Sequence, residues 1–528
     1  LHRVRNQTMI ITLAFHFYFL LASSVTGDPV KLPGNSDIPR LKLQSGYLNA
    51  NENGTQKMFY LLLESRDVTP SEAPLLIWFN GGPGCSSLGA FFEEFGPLYV
   101  NYDGVSLFEN EFSWYHKANI LFLESPIGVG FSYDEEVGNY SKADDDTTSI
   151  QNLQAVRFFF ERKHPEFVHN EFYVAAESYG GVYAPMLSAL IAQSISERSF
   201  PNENFKGLMI GNGYMNVKLS TNTMILWSAY HARTSPDEWD AIKSKCKTAG
   251  AKDVDDYDFM KFMKTTNKMD YKVDNTTECG RLLEPLLGDY SEEWEGYDFF
   301  NFYHDCYVNF TVPNVTDPVK EAMSQVPRKG IRALMRQYST DNKMSFSCWN
   351  DIALSFYLNS ARVQKALHLD AKWLKRGEKW TVCNTPMYEQ YEMTHQDMTP
   401  FFSNIFTNFT GPNFRILIYN GDVDTACNYL ADGYFVRDLA TKNGFRKTAK
   451  HQPWLYSTNN VIAGYFMRYE GANRLGSSFS IDVVTLKGAG HFVPFDRPGP
   501  AYQMVNNFLS RANYSTPVST ASSEERNE

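Results

Sequence analysis

The chain has 528 residues, 43% of them apolar, which is enough for one large domain with insertions or two ordinary ones and rules out global disorder. Its formal net charge of −11 supplies no basic footprint against phosphate repulsion, so no nucleic-acid partner is expected.

The first element is an apolar stretch from Met9 to Leu21 behind Arg3 and Arg5, followed by small residues in which Val25 and Gly27 fit a cleavage site before Asp28. That order reads as a secretory signal peptide over residues 1–27. A membrane anchor is the competing reading, but the run is short for a span of about 20 residues. No later run is long enough, so no membrane span is expected and the chain is placed in the secretory pathway.

Four apolar runs then repeat one pattern. "PLLIWFNGGPGCSS" carries a buried-strand run, Leu75 to Phe79, that breaks into glycines; "NILFLESP", "EFYVAAES" and "FRILIYNGDVD" each end in a polar residue. Helical stretches such as Thr147 to Lys163 lie between them. The alternation predicts an α/β fold, a mostly parallel central sheet flanked by helices, with ligands beyond the carboxyl ends of the strands. Residues 217–348 differ: they are charged, rich in Lys, Asp and Met, and hold four of the seven cysteines. They read as an inserted, mainly helical cap between core halves 28–216 and 349–514, and residues 515–528 as a disordered tail.

Seven cysteines in a secreted chain imply three bridges and one free thiol. Sequons at Asn53, Asn139, Asn275, Asn309, Asn314, Asn408 and Asn513 suit a glycoprotein. None of the eleven histidines opens an H-x-x-E or H-x-x-x-H pair, so a zinc hydrolase reading finds no ligand set, and no metal or cofactor is expected.

"FYVAAESYGGVYAP" poses the central question. Phe172 to Ala176 reads as a strand, Glu177 to Tyr179 as a turn, and the residues after it as a helix with Val182, Met186, Leu187 and Leu190 on an apolar stripe. Ser178 is then either a nucleophile on a strained elbow or a helix N-cap. An elbow favours glycine two residues either side of the serine; Gly180 supplies one and Ala176 replaces the other. A serine nucleophile needs a base held by a third group. "LIYNGDVDTACN" offers Asp422 and Asp424, and "VVTLKGAGHFVPFDRP" offers His491, both in the order expected of an α/β-hydrolase. "NGGPGCSS" is a glycine turn suited to exposing oxyanion amides.

These motifs, with "NGGPGCSSLGAFFEEFGP", "ESPIGVGFSY" and "GLMIGNGYMN" in order, resemble the serine carboxypeptidase family, closest to its lysosomal cathepsin A branch. The resemblance implies an α/β-hydrolase fold and a serine-type carboxypeptidase acting on peptide or protein C-termini at acidic pH. It implies Ser178, Asp424 and His491 as the triad, Gly82 and Tyr179 as oxyanion donors, and Asn80, Gly81, Glu94 and Glu177 around the substrate carboxylate. Two glutamates bind a carboxylate only if they share protons and donate O–H groups to it. The resemblance further implies bridges Cys85–Cys383, Cys246–Cys279 and Cys306–Cys348. It leaves Cys427 free beside the substrate pocket, with Phe492 lining it. It also implies a cut in the basic segment "VPRKGIRALMRQYS", a lysosomal or extracellular location, and two candidate partners, a second copy and lysosomal glycosidases. A protective binding role and acyl transfer are the alternatives on this scaffold. Three departures from the family pattern, Ala176, Ile127 and Phe492, bear on substrate preference.

Overall fold

Strand Gln56–Leu63 shows how the core is built. Its side chains alternate by geometry, and both sets are apolar: Met58, Tyr60 and Leu62 enter one buried cluster, Phe59, Leu61 and Leu63 another. A sheet apolar on both faces must be covered on both. The same split divides Leu75, Ile77 and Phe79 from Leu76 and Trp78.

The computed structural model describes residues 28–34, 41–101, 104–137, 142–265, 271–287, 298–304, 350–456 and 460–519. Among them the main sheet runs β1 (Asp28–Pro29), β2 (Leu43–Asn49), β3 (Gln56–Leu63), β4 (Leu75–Phe79), β5 (Asn119–Leu123), β6 (Phe172–Glu177), β7 (Phe205–Gly211), β8 (Asn413–Gly421), β9 (Arg446–Tyr456), β10 (Val461–Ala472) and β11 (Ser478–Leu486) in chain order, with a two-residue strand, Tyr133–Asp134, added against the start of β3. In space the order is β1-β2-β3-β5-β4-β6-β7-β8-β11-β10-β9. The six strands from β5 to β11 in that order are parallel, and antiparallel strands extend both edges. This is the mostly parallel sheet of the expectation. Helices α1 (Asp145–Phe158) and α2 (Gly180–Ser196) lie between parallel strands, as alternation requires. Helix α2 carries no narrow stripe: Gly180 to Ala189 are all buried, because the helix runs through the core under the sheet.

The expected cap contains α3 (Val217–Tyr230), α4 (Pro236–Lys245) and α5 (Glu278–Leu287), with its own small apolar cluster around Ile242, Phe259 and Leu283. Helix α4 starts where it does because Ser235 and Glu238 form a reciprocal capping box and Pro236 fills the first turn. A short antiparallel ribbon, Met263–Thr265 with Tyr271–Val273, adds to the helices expected there. Cys246–Cys279 staples α4 to α5, and Cys85–Cys383 ties the two core halves. Cys306, Cys348, the basic segment, Asn139, Asn309, Asn314 and the signal peptide lie outside the described residues. Asn53, Asn275 and Asn513 are exposed, and Asn408 partly so. Residues 515–519, expected in the tail, are bonded to the core, Ser515 Oγ accepting from Leu455 N (2.9 Å) and Thr516 O from Asn507 Nδ2 (2.9 Å), and residues 520–528 lie outside the described residues. Among the described residues no helix is long and apolar enough to cross a membrane.

Candidate active site

Ser178 sits between β6 and α2 with φ 58, the left-handed region that costs a non-glycine residue about 1–3 kcal/mol. The helix N-cap is Tyr179, not Ser178, so of the two sequence readings the strained elbow is the one found. Neighbouring backbone holds the strain: Ser178 N donates to Gly211 O (3.0 Å), and Ser178 O accepts from Gly181 N and Tyr214 N, both at 2.8 Å. Ala176 works because its partner is glycine. A Cβ on Gly180 would lie 2.6 Å from the Ala176 methyl, so one small side chain fits where two would collide.

The turn after β4 presses on this elbow. A Cβ on Gly81 would lie 2.4 Å from Tyr179 N and 2.7 Å from Ser178 Cβ, and only glycine permits that approach. Gly82 follows with φ 107. The turn is anchored by Cys85–Cys383 and by Glu124, which accepts from Ser86 Oγ, Phe131 N (2.6 Å) and Trp380 Nε1 (2.8 Å). Tyr179 is pinned through its ring: its hydroxyl donates to Asp145, which also accepts from Tyr391 Oη, Thr394 N and His395 N. Sequence reading assigned nothing to Glu124 or Asp145. Their signal was an acidic residue where an apolar strand ends and another at a helix start.

Beyond the ends of β8 and β11, His491 Nδ1 lies 2.7 Å from Asp424 Oδ2. Asp424 Oδ2 also accepts from Asn212 Nδ2 (2.7 Å) and Cys427 N (3.1 Å), and Oδ1 from Ala426 N (2.7 Å). Asp422 turns away to accept from Gly488 N (2.6 Å). Of the two candidate aspartates, Asp424 alone meets the histidine. Burial pulls the His491 imidazole down, but the charge and hydrogen bond of Asp424, with Glu94 and Asp298 beyond, together hold it above its ordinary value. Asn212, in a left-handed turn at φ 43, is a support that no sequence pattern marked.

Asn80, Glu94 and Glu177 converge. Trp78 Nε1 donates to Asn80 Oδ1 (2.6 Å), which aims Asn80 Nδ2 at Glu177 Oε1 (2.7 Å) and Glu94 Oε1 (3.4 Å). The two glutamates are 3% and 2% exposed, and both accept from the same Asn80 amide. Burial raises Glu94 to about 7. Burial and the Glu94 charge raise Glu177 well above the ordinary range. Neither is a solvated surface charge.

Cys427 is buried, unpaired and within hydrogen-bonding reach of Ser178. Burial and then Asp424 push its thiol well up, so the thiolate is scarce at neutral pH. Phe492 packs against His491 at 5.2 Å and Phe300 at 4.9 Å between ring centroids. Ile127 is fully buried in the core, so this departure from the family pattern is a packing matter.

The region is unusually rich in buried carboxyls. Burial raises Glu124, Asp432 and Asp496, like Glu94, to about 7, and Asp298 to about 6. Each keeps its proton in the folded state at a pH where the unfolded chain has lost it. Stability is therefore full below about pH 4, the ordinary carboxyl range, and falls as pH rises through the raised values. The thermal midpoint at pH 7.5 is expected several degrees below that at pH 5. Calorimetry at matched ionic strength checks this, and a higher midpoint at pH 7.5 contradicts it.

The serine carboxypeptidase family model (Peptidase_S10) matches residues 33–511. The chain is 70% identical over 496 residues to serine carboxypeptidase ctsa-3.2 of Caenorhabditis elegans, covering 93% of this chain and 96% of that one. It is 31% identical over 497 residues to the lysosomal protective protein of Mus musculus, covering 92% and 93%. Among solved structures, the Kex1 prohormone-processing carboxypeptidase of Saccharomyces cerevisiae shares the fold, with TM-score 0.61 at 21% identity over 92% of this chain and 95% of that one. The chain belongs to the serine carboxypeptidase family: it is a serine-type carboxypeptidase with an α/β-hydrolase fold.

Proposed function

We propose that this carboxypeptidase releases C-terminal amino acids from peptides through an acyl-enzyme, and that it works best at acidic pH. Ser178 attacks the carbonyl of the last peptide bond while His491 takes its proton. Asp424 fixes the histidine tautomer and balances the imidazolium. The main-chain amides of Gly82 and Tyr179 receive the oxyanion. His491 then protonates the departing amine, and water repeats the sequence on the ester. Gly81 and Asn80, with protonated Glu94 and Glu177, receive the substrate's terminal carboxylate. Cys427 and Phe492 line the pocket beside it.

The observation that carries this reading is the glutamate pair. A site holding two buried carboxyls above the ordinary range suits a ligand that is itself an anion, provided their protons are in place. In mildly acidic solution the pair donates hydrogen bonds to the terminal carboxylate. As pH rises through about 7 for Glu94, donors become repelling charges. Free-acid peptides are therefore expected to lose kcat/KM relative to their C-terminal amides between about pH 4.5 and 7.5, by about fourfold at the upper end, where a carboxyl titrating at about 7 keeps roughly a quarter of its protons. Taking the ratio cancels the titration of His491, which both substrates share. Glu94→Gln, an amide that does not ionise, flattens the ratio. A flat ratio in the parent enzyme removes the pair from recognition.

Kinship with the lysosomal protective protein of Mus musculus supports a route through the secretory pathway to the lysosome or cell exterior. It also supports, as partners to test by co-purification, a second copy of the chain and lysosomal glycosidases. Glycans at the exposed sequons belong to the same proposal.

A further inference from the structure

We infer that Asn301 and Asp496 are positioning residues for the His491–Asp424 pair, acting through a strap of the cap, Asp298–His304, laid across both loops. The inference rests on the triad reading above. It gives the inserted segment a part in holding the catalytic base, beyond covering the site.

The strap touches both loops on either side of the functional side chains. At the acid loop, Phe302 N donates to Val423 O (3.1 Å) and Thr425 Oγ donates to Phe299 O, so both neighbours of Asp424 are bonded to it. At the base loop, His491 N donates to Phe300 O (2.6 Å). Gly490 N donates to Asp496 Oδ2 (2.6 Å), and Asn301 Nδ2 donates to the same oxygen (2.8 Å). One carboxyl oxygen thus joins the strap to the residue before His491. Asn301 Oδ1 accepts from Tyr303 N (3.0 Å), which fixes the end of the amide that faces Asp496. His304 Nδ1 stands 3.7 Å from the other Asp496 oxygen.

The fit leaves little slack. A Cβ on Gly490 would lie 2.1 Å from Phe300 O. Asn301 and Asp496 are 2% and 5% exposed, so water does not replace a lost partner cheaply. The Phe300 ring lies 5.1 Å from the His491 ring. Neither Asn301 nor Asp496 has a part in the proposed chemistry, which makes their bonds to its loops a matter of placement. A misplacement of about 1 Å in a catalytic group costs on the order of a hundredfold in rate.

The test uses Asn301→Leu, Asp496→Leu, both together, and Asp496→Asn, which keeps a carbonyl acceptor for Gly490 N and Asn301. Steady-state kinetics on a free-acid dipeptide, melting curves and a Ser178→Ala control are run in parallel. Each leucine variant is expected to lower kcat about 10- to 100-fold with KM changed less than about twofold. The double variant loses no more than the worse single, because the two act as a unit. Asp496→Asn stays near the parent. Where leucine prevents folding, Asn301→Ser decides: it leaves the strap's main-chain bonds but is too short to reach Asp496, and its kcat falls too. Parent-like kcat in folded leucine variants, additive losses, or Asp496→Asn as damaged as Asp496→Leu overturns the inference. If Ser178→Ala remains active, the triad reading fails instead; an inactive Ser178→Ala beside unaffected strap variants rejects the strap alone.

Discussion

Ser178→Ala is expected to lower kcat about a millionfold, the scale of nucleophile removal in a serine protease, with KM little changed and the fold intact. The fold survives because the elbow is held by main-chain bonds to Gly211, Gly181 and Tyr214, none of which uses the hydroxyl. Alanine inherits the left-handed backbone, so the strain stays and the melting temperature should match the parent. Ser178→Gly separates strain from chemistry. It is equally inactive, but it relieves a conformation that glycine adopts freely and should be more stable by about 1 kcal/mol. Activity assays and melting curves on the purified pair check both halves. Near-normal turnover in either variant would remove Ser178 from the mechanism, and an unchanged melting temperature in the glycine variant would show that the elbow stores no strain.

What could be read from the sequence followed from how local the signals were. The strand Leu75–Phe79 and the strand into the elbow are continuous apolar runs ended by glycine or a polar residue, and they form where expected. The hairpin β9–β10 was not identified. Its first strand, "RKTAKHQPWLY", is an exposed edge in which only the tryptophan and the last tyrosine are buried, so no apolar alternation marks it. The choice between Asp422 and Asp424 could not come from spacing alone, because both follow the same strand; it depends on which carboxyl meets a loop 67 residues away. The buried supports Glu124, Asp145, Asn212 and Asp496 were missed for a related reason. A polar residue in a loop looks solvated until the loops that bury it are assembled around it. Family resemblance supplied the roles of Glu94 and Glu177, and the structure added their physical circumstance, burial together on one amide.

The second large effect belongs to Asp424. Asp424→Ala is expected to cost about ten-thousandfold in kcat, the scale for a lost triad aspartate, because His491 then loses both its orientation and the charge that balances its imidazolium. Asp424→Asn should cost less here, and the reason lies in the donors. Three of them, His491 Nδ1, Asn212 Nδ2 and Cys427 N, converge on Oδ2, whereas only Ala426 N reaches Oδ1. An asparagine meets fewer opposed donors with its carbonyl on the three-donor side and its NH2 toward Ala426. In that orientation His491 still donates from Nδ1 and keeps Nε2 free to act as base. The variant pays one buried N–H facing another, about 1–3 kcal/mol, and the loss of the negative charge. That loss leaves burial dominant over His491, whose pKa must fall from its present raised position. The acidic limb of kcat/KM should therefore move to lower pH in Asp424→Asn, with residual activity above that of Asp424→Ala at every pH. The cleanest readout uses C-terminally amidated peptides, so that the glutamate pair does not distort the limb. Equal losses in the two variants would mean that the amide turns its NH2 to His491 and that the three-donor corner does not set its orientation, whereas a limb that stays in place would mean that the Asp424 charge is not what holds the His491 pKa up.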